Sequence, residues 1–160
     1  MEGGDADMIN IVEGDLLDAA EDIIVHQVNC YGIMGGGVAK QIREKWPEVY
    51  DGYSKMCKAC RKQRKDLLGT VFFKRVGVNK FIANAFGQYG IDSSGGRSTN
   101  YGALREALLK VRDFSEGGRW SIAIPYGIGC GLGGGDWENE VLPMIKDVFY
   151  GFDVTLYKKL

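Results

Sequence analysis

The sequence predicts an α/β fold with three layers, α/β/α, around a central mixed and mostly parallel sheet. Short apolar runs such as DIIVHQVN and RWSIAIPY are nearly continuous, as expected for strands that are covered on both faces. Between such runs lie segments whose apolar residues recur every four positions, which is typical of helices. Strands that alternate with helices form a sheet flanked by helices, and 160 residues suit one domain.

The N-terminal half predicts two strands followed by two helices. Residues 1–7 are expected to be a disordered leader or a cloning remnant, and the domain is expected to span residues 8–160. The runs MINIV and DIIVHQVN predict the strands. Apolar residues spaced by four then run from Val38 to Trp46, Pro47 interrupts them, and a second stripe continues to Cys60. This pattern predicts a helix, a break and a second helix.

The C-terminal half predicts a hairpin, two helices and two further strands. The run TVFFKRVGVNKFIANAF indicates a hairpin that turns near residues 77–79. Thr99 is predicted to cap the next helix, and Asp136 is predicted to cap the last one. RWSIAIPY and FDVTLY complete the predicted strands.

Composition excludes several classes of function for the chain as a whole. The formal net charge is −1 and charged residues make up 26% of the sequence. The overall charge therefore does not indicate a protein that binds nucleic acids or membranes. No apolar run approaches the roughly 20 residues of a membrane span, and MEGGDAD lacks the features of a signal peptide. The four cysteines show no secreted disulfide spacing, so free thiols are expected. We expect a cytoplasmic, monomeric protein without a membrane partner.

Two glycine-rich segments, CYGIMGGGVAK and PYGIGCGLGGGDW, hold ten of the 24 glycines. Each follows a predicted buried strand and leads into a predicted helix, at the sheet edge where open α/β folds bind ligands. Glycine lets the backbone approach a ligand closely with its N–H groups turned inward, and a helix start adds partial positive charge. Each loop therefore suits an anion, and the two together suit a diphosphate. The alternative is that the glycines only permit tight connections.

Common nucleotide-binding signatures are absent from both segments. Neither ends in the GK[ST] of a P-loop, and neither fits G-x-G-x-x-G with an acidic residue about twenty positions on. Instead, NIVEGDLL, VHQVNCYGIMGGGVAKQI and IPYGIGCGLGGGDWENEV, in this order and spacing, resemble the macro domain, a module that binds ADP-ribose. The resemblance covers residues 8–158 and looks closest to the compact branch with the yeast ADP-ribose-1''-phosphate phosphatase and the terminal ADP-ribose glycohydrolases.

The resemblance implies which residues hold the ligand. Asp15 matches an aspartate that accepts a hydrogen bond from adenine, Asn29 an asparagine at the distal ribose, and Tyr157 an aromatic that stacks on adenine. The complete set implied to bind ADP-ribose is Asp15, Leu16, Asn29, Gly35, Gly36, Gly37, Val38, Ile128, Gly129, Cys130, Gly131, Leu132 and Tyr157. Structural alternatives exist: Asp15 can cap a helix, Asn29 can close a turn, and Tyr157 can pack within a strand.

The catalytic residues differ from those that the resemblance implies for the glycohydrolase members. Those members use a lysine nucleophile and an aspartate in the second loop, whereas this sequence has Gln88 and Gly133 near the two positions. The candidate catalytic residues are therefore Asn29, Asp136 and His26. Asp136 could activate a water or cap a helix, and His26 could act on the ligand or be a buried core histidine.

The implied activity is hydrolysis of a group on the distal ribose: a 1''-phosphate, an O-acetyl ester, or a linkage to protein or nucleic acid. A non-catalytic ADP-ribose reader would use the same cleft. No metal and no cofactor are expected, since the CxxC of Cys57 and Cys60 lacks a second ligand pair. The basic cluster from Lys55 to Lys65 suits a polyanion or a solvated helix end, and GQYGIDSSGGRSTNY suits a flap or a surface loop.

Overall fold

A six-stranded sheet forms the centre of the protein. The computed structural model describes residues 8–91 and 97–159, so the predicted leader at residues 1–7 and part of the predicted flap lie outside the described residues. The strands are β1 (Ile9–Glu13), β2 (Ile23–Val28), β3 (Val71–Gly77), β4 (Lys80–Phe86), β5 (Ile122–Pro125) and β6 (Val154–Lys158). The helices are α1 (Gly37–Lys45), α2 (Pro47–Ala59), α3 (Tyr101–Phe114) and α4 (Leu142–Val148). Short 3₁₀ turns lie at Leu16–Asp18 and Arg64–Leu67, and a π-helical turn, Trp137–Val141, leads into α4.

The sheet is mixed and mostly parallel, which confirms the prediction. Its strand order is β1-β6-β5-β2-β4-β3. The four neighbouring pairs from β1 to β4 are parallel, and only the pair of β4 with the edge strand β3 is antiparallel. That antiparallel pair is the hairpin that the sequence predicts, with its turn at residues 78–79.

Helices cover both faces of the sheet and complete the three-layer α/β/α arrangement. On one face, α1 and α2 pack in the core that contains Ile24 and Ile82. On the other face, α3 and α4 pack in the core that contains Val25 and Ala83. Successive residues of a strand thus face opposite helical layers, and β2 is buried on both sides, as its nearly continuous apolar run predicts.

One predicted helix cap is wrong. Asn100, and not Thr99, is the N-cap of α3, because its side-chain oxygen accepts a hydrogen bond from Ala103 N at 2.9 Å. Thr99 is buried, and its hydroxyl donates to the carbonyl oxygen of Gly129 at 2.7 Å. A tertiary contact therefore takes up the hydroxyl, and the neighbouring asparagine caps the helix.

Two central strands separate at one edge of the sheet. β2 and β5 pair only through Ile23 with Ile122 and Ile24 with Ala123. Beyond these two pairs the strands no longer pair with each other, although β2 continues to Val28 and β5 to Pro125. This separation creates a crevice between neighbouring parallel strands, a position where α/β sheets commonly bind ligands.

The four cysteines are free thiols, as predicted. Cys30 is buried, and burial raises the pKa of its thiol to about 12, so it stays protonated at neutral pH. Among the described residues, no helix combines the length and the apolar character needed to cross a bilayer.

Candidate functional site

A cleft of about 750 Å³ opens where β2 and β5 separate. It is bordered by the two glycine-rich segments, which we call the first loop (residues 29–37) and the second loop (residues 126–135). Of the residues predicted from sequence, those that line the cleft are His26, Asn29, Gly35, Gly36, Gly37, Val38, Ile128, Gly129, Gly131 and Leu132. Those that do not line it are Asp15, Leu16, Cys130, Asp136 and Tyr157. The two loops approach each other so closely that a Cβ at Gly36 would lie 3.0 Å from Leu132 Cδ1.

The first loop is held by hydrogen bonds to Asn29 at the end of β2. The side-chain oxygen of Asn29 accepts from Tyr31 N at 2.9 Å and from Ile33 N at 3.3 Å, and its Nδ2 donates to Ile33 O at 2.8 Å. The hydroxyl of Tyr53, buried in α2, donates to Asn29 O at 2.6 Å and lies 2.9 Å from its Oδ1. Asn29 therefore closes the turn, and its second Nδ2 hydrogen has no acceptor among the described residues.

The second loop is held by close backbone packing around Thr99. The hydroxyl of Thr99 donates to Gly129 O, and its backbone N donates to Gly133 O at 3.0 Å. Gly135 N also donates to Gly129 O at 2.8 Å. A Cβ at Gly133 would collide with Thr99 Oγ1 and lie 2.7 Å from Gly129 O, so this position admits only glycine. An aspartate, which the resemblance implies for the glycohydrolase members, does not fit here.

A group of polar side chains joins the second loop to the end of β4. Gln27 Nε2 donates to Gln88 Oε1 at 2.8 Å and to Thr99 Oγ1 at 2.9 Å. Gln88 in turn donates from its Nε2 to Gly90 O at 2.8 Å. Both ends of the Gln88 amide are thus occupied by hydrogen bonds within the protein. The side-chain oxygen of Gln27 is buried and has no partner among the described residues.

His26 is a buried neutral histidine with one free acceptor. Asn84 Nδ2 donates to Phe72 O at 2.9 Å, so the Asn84 oxygen faces His26 Nε2, which is 2.6 Å away. Nε2 therefore carries the proton, and Nδ1, which is buried without a described partner, is an acceptor. Burial, only partly offset by the hydrogen bond that His26 donates to Asn84, lowers the pKa of His26 to about 4.

The residues predicted at the adenine end lie next to the cleft. Asp15 caps the first 3₁₀ turn by accepting a hydrogen bond from Leu17 N at 3.0 Å. The ring of Tyr157 packs beside Gly14, and its hydroxyl donates to Glu21 Oε1 at 2.7 Å. Burial, with a smaller contribution from Glu21, raises the pKa of Tyr157 to about 12. Tyr157 also pairs in register with Pro125, which lines the cleft.

Asp136 caps the helical turn that follows the second loop. One carboxylate oxygen accepts from Asn139 N at 3.1 Å and the other from Asn139 Nδ2 at 3.0 Å. These hydrogen bonds lower the pKa of Asp136, and its carboxylate is solvent-exposed. The predicted capping role is confirmed, and both oxygens are already engaged.

The cleft is polar through its backbone and carries no ionised side chain. None of the described residues that line it is Asp, Glu, Lys or Arg. Within the described part of the chain, no acceptor lies within hydrogen-bond reach of the backbone N–H groups of Gly36 and Gly37 in the first loop, or of Gly131 and Leu132 in the second. Because the first loop also starts α1, the partial positive charge of a helix N-terminus adds to these donors. The described residues contain no cluster of His, Cys, Asp and Glu that could hold a metal ion.

Sequence reasoning missed three side chains that organise the cleft. Tyr53 belongs to the apolar stripe of α2, and its hydroxyl is not distinguished there by any pattern. Gln27 was visible as a polar residue in an apolar strand, which is a usable signal. Thr99 was assigned to a helix cap, although its hydroxyl supports the second loop.

Comparison with known proteins agrees with the fold. The profile of the macro domain family matches residues 25–143. The DNA ADP-ribosyl glycohydrolase of Mycobacterium tuberculosis is 30% identical over 155 residues, covering 89% of this chain and 42% of the relative. The ADP-ribose 1''-phosphate phosphatase of Candida albicans is 26% identical over 143 residues, covering 82% of this chain and 88% of the relative. The chain thus spans less than half the length of the first relative.

Solved structures show the same architecture. A protein of unknown function from Bacteroides thetaiotaomicron superposes with a TM-score of 0.81 at 31% identity, over 94% of this chain and 97% of that one. The macrodomain of Mycobacterium tuberculosis DarG superposes with a TM-score of 0.73 at 28% identity, over 94% and 97% of the two chains. The chain belongs to the macro domain family.

Proposed function

We propose that this chain binds ADP-ribose in the cleft and hydrolyses a group attached to the distal ribose. The observation that carries the proposal is the pair of glycine loops, whose unpaired N–H groups border one cleft at the carboxyl ends of β2 and β5. Such donors suit the two phosphates of a diphosphate, and they do so without a lysine or a metal ion.

The ends of the cleft suggest how the ligand lies. Adenine belongs at the end beside Pro125, where Asp15 and Tyr157 are close by. The diphosphate belongs between Gly36 and Gly131, and the distal ribose belongs next to Asn29. The free Nδ2 hydrogen of Asn29 then has a ribose oxygen as its acceptor.

Hydrolysis is proposed to proceed by direct attack of water. The water would be held by the ligand's own phosphate oxygens and by Asn29, and no covalent intermediate would form on the protein. Two observations support this route: the described residues that line the cleft include no lysine, and both ends of the Gln88 amide are hydrogen-bonded. Asp136 and His26 remain candidates for the general base, although the low pKa of each weakens it as a base.

A non-catalytic ADP-ribose reader is the second candidate function. The observation that favours it is the absence of any ionised side chain among the described residues that line the cleft. A reader needs only the phosphate donors and the adenine contacts, which the cleft would provide unchanged.

The relatives suggest two classes of substrate. One relative is named for ADP-ribosyl groups on DNA and the other for ADP-ribose 1''-phosphate. We propose that the natural ligand of this chain is an ADP-ribose derivative of this kind, carried by protein or nucleic acid or by a phosphate, and that the chain acts in the cytoplasm.

The test combines a binding and a turnover measurement. Calorimetric titration with ADP-ribose should give stoichiometric binding that ATP and NAD do not match. Release of ADP-ribose should then be followed with ADP-ribosylated DNA, ADP-ribosylated peptide and ADP-ribose 1''-phosphate. Turnover of any one of these substrates shows that the chain is an enzyme. Tight binding of ADP-ribose without turnover of any substrate shows that it is a reader.

Two outcomes would overturn parts of the proposal. Preference for ATP or NAD over ADP-ribose would remove the assignment of the ligand. Borohydride added during turnover should trap nothing, because no lysine attacks the sugar. A covalent adduct mapped to any lysine of the chain would rule out direct attack by water.

A further inference from the structure

Two tyrosines stand just outside the rim of the cleft, at the end assigned to the distal ribose. Tyr31 lies in the first loop between Asn29 and Ile33, both of which line the cleft. Tyr89 follows Gln88, which also lines it. The rings of the two tyrosines meet edge to face with centroids 5.3 Å apart, and their hydroxyls are 3.1 Å apart. Tyr31 is 43% exposed.

The tyrosine pair is fixed in place before any ligand arrives. Cys30 N donates to Tyr89 O at 2.9 Å, which ties the first loop to the segment after β4. Arg64 donates to Cys30 O at 3.1 Å and places its guanidinium 4.5 Å from the centre of the Tyr31 ring. Lys65 places its ammonium 5.6 Å from the centre of the Tyr89 ring. Each of the two rings, the exposed ring of Tyr31 and the half-buried ring of Tyr89, therefore has a cation beside it.

These two cations belong to a strongly basic stretch of the chain. Between residues 52 and 70 the only acidic residue is Asp66. The same interval holds six cations, which we call the basic segment: Lys55, Lys58, Arg61, Lys62, Arg64 and Lys65. Arg64 is half-buried and the other five are exposed. None of the six has a carboxylate within ion-pair distance among residues 8–91 and 97–159.

We propose that the tyrosine pair and the basic segment bind single-stranded DNA next to the cleft. This DNA is the carrier to which the distal ribose of the ADP-ribosyl group is attached. Aromatic rings stack on unpaired bases, and neighbouring cations pair with the phosphates between them. The whole chain has a formal net charge of −1, so the remainder without these six cations is acidic, and the attraction for a polyanion is confined to this surface.

Several observations favour a DNA strand over other polyanions. An acidic peptide would pair with the cations but would give the tyrosine rings nothing to stack on. A duplex hides its bases from such rings, so an unpaired strand fits better. DNA is the carrier that the name of the Mycobacterium tuberculosis relative specifies. This inference rests on the proposed function, because the cleft places the distal ribose beside the tyrosine pair.

The test measures binding of an unmodified, fluorescein-labelled thymidine oligonucleotide of roughly twelve nucleotides by fluorescence anisotropy. Lys65→Glu should weaken binding about fivefold or more, and Lys65→Ala should make the slope of log affinity against log salt shallower by about 0.7. The control is Arg119→Glu, which makes the same change in charge beyond α3, at the opposite edge of the sheet. It should leave the affinity within about twofold.

The aromatic contribution is tested in the same assay. Tyr31→Ala should weaken oligonucleotide binding roughly fivefold or more, because a stacked base is lost. Tyr150→Ala removes another exposed tyrosine, located between α4 and β6, and should change nothing. Calorimetry with ADP-ribose should give unchanged affinity for Lys65→Glu, Lys65→Ala, Arg119→Glu and Tyr150→Ala, because these residues neither line the cleft nor belong to either glycine loop.

The outcomes separate the surface from the cleft. The proposed DNA surface is overturned, and the proposed function is not, if the wild-type protein binds ADP-ribose but not the oligonucleotide. The same holds if Arg119→Glu lowers the affinity for the oligonucleotide as much as Lys65→Glu does. Tighter binding of the matching RNA, of the duplex or of a polyglutamate peptide would also overturn it. If the oligonucleotide binds with the expected variant pattern while ADP-ribose does not bind at all, the DNA surface is supported and the proposed function fails.

Discussion

The two glycine loops border the same cleft but are held in place in different ways. The first loop is positioned by side chains: Asn29 accepts hydrogen bonds from the loop backbone, and Tyr53 supports Asn29 from beneath. The second loop is positioned by its own backbone, in which Gly133 and Gly135 approach the carbonyl oxygen of Gly129 closely. Glycine therefore borders the cleft in the first loop, whereas in the second it mainly allows close packing of the backbone.

This difference shows that similar glycine content can have different causes. In the second loop, Gly129 has φ +75°, and a Cβ there would lie 3.2 Å from Thr99 Oγ1, so the backbone requires glycine regardless of any ligand. Gly131 has no such constraint: its φ is not left-handed, and a Cβ would have nothing within 4 Å. The protein's own packing therefore does not require glycine at this position.

The largest expected effect concerns the packing of the second loop. Gly133→Ala should lower the free energy of unfolding by about 2–3 kcal/mol, because its methyl group collides with Thr99 Oγ1 and Gly129 O. Urea denaturation measures the change, and Gly131→Ala in the same loop is the matched control. Equal stability of the two variants would show that the loop is not held by its glycine contacts.

The next effect concerns the ligand and distinguishes Gly131 from its neighbours. Gly131→Val should keep the melting temperature and weaken ADP-ribose binding at least about a hundredfold, or roughly 2.7 kcal/mol, because the side chain projects into free space in the cleft. Gly36→Val should weaken binding similarly but must also displace Leu132. Gly102→Val, at an unstrained glycine of α3 outside the cleft, is the control. Normal affinity in folded Gly131→Val would remove the two-loop hypothesis.

Much of the fold could be predicted from the sequence because it depends on local patterns. The apolar run of β2, the interruption at Pro47 and the hairpin from β3 to β4 each leave a signal within a few residues. The glycine segments could likewise be placed after buried strands. Their place at one edge of the sheet follows from the parallel pairing of β2 and β5.

The supports of the cleft could not be predicted because they join distant parts of the chain. Gln27 reaches Gln88 and Thr99 across separations of 61 and 72 residues. Thr99 and Asn100 are both good capping residues, and only the contact of Thr99 with the second loop decides which of them caps α3. Such choices depend on tertiary contacts that no local pattern records.

A smaller effect tests the side-chain support of the first loop. Tyr53→Phe removes the hydroxyl that bonds to Asn29, and it should lower the free energy of unfolding by about 1–2 kcal/mol. Affinity for ADP-ribose should fall as well, because Asn29 is then less firmly placed. Tyr50→Phe, on the same helix, is the control, since the hydroxyl of Tyr50 has no hydrogen bond within the described residues. Identical stabilities would show that the hydroxyl of Tyr53 does not support the loop.

The smallest effect lies where each loop enters its helix. The first loop enters α1 through Gly36, which has no side-chain cap, whereas the second ends at Asp136, whose carboxylate caps the next turn. Asp136→Ala should lower the melting temperature by a few degrees, while Asp136→Asn should keep it, because asparagine also caps.

Hydrogen bonds lower the pKa of Asp136 in the folded state, so its stabilising effect is present above the unfolded pKa of roughly 3.9 and is lost as the pH falls through the lower pKa of the folded state. The difference between Asp136→Ala and the wild type should therefore shrink in acid. Turnover by Asp136→Asn distinguishes the two roles of the carboxylate: retained kcat identifies a cap, and a roughly hundredfold loss with affinity kept identifies a general base.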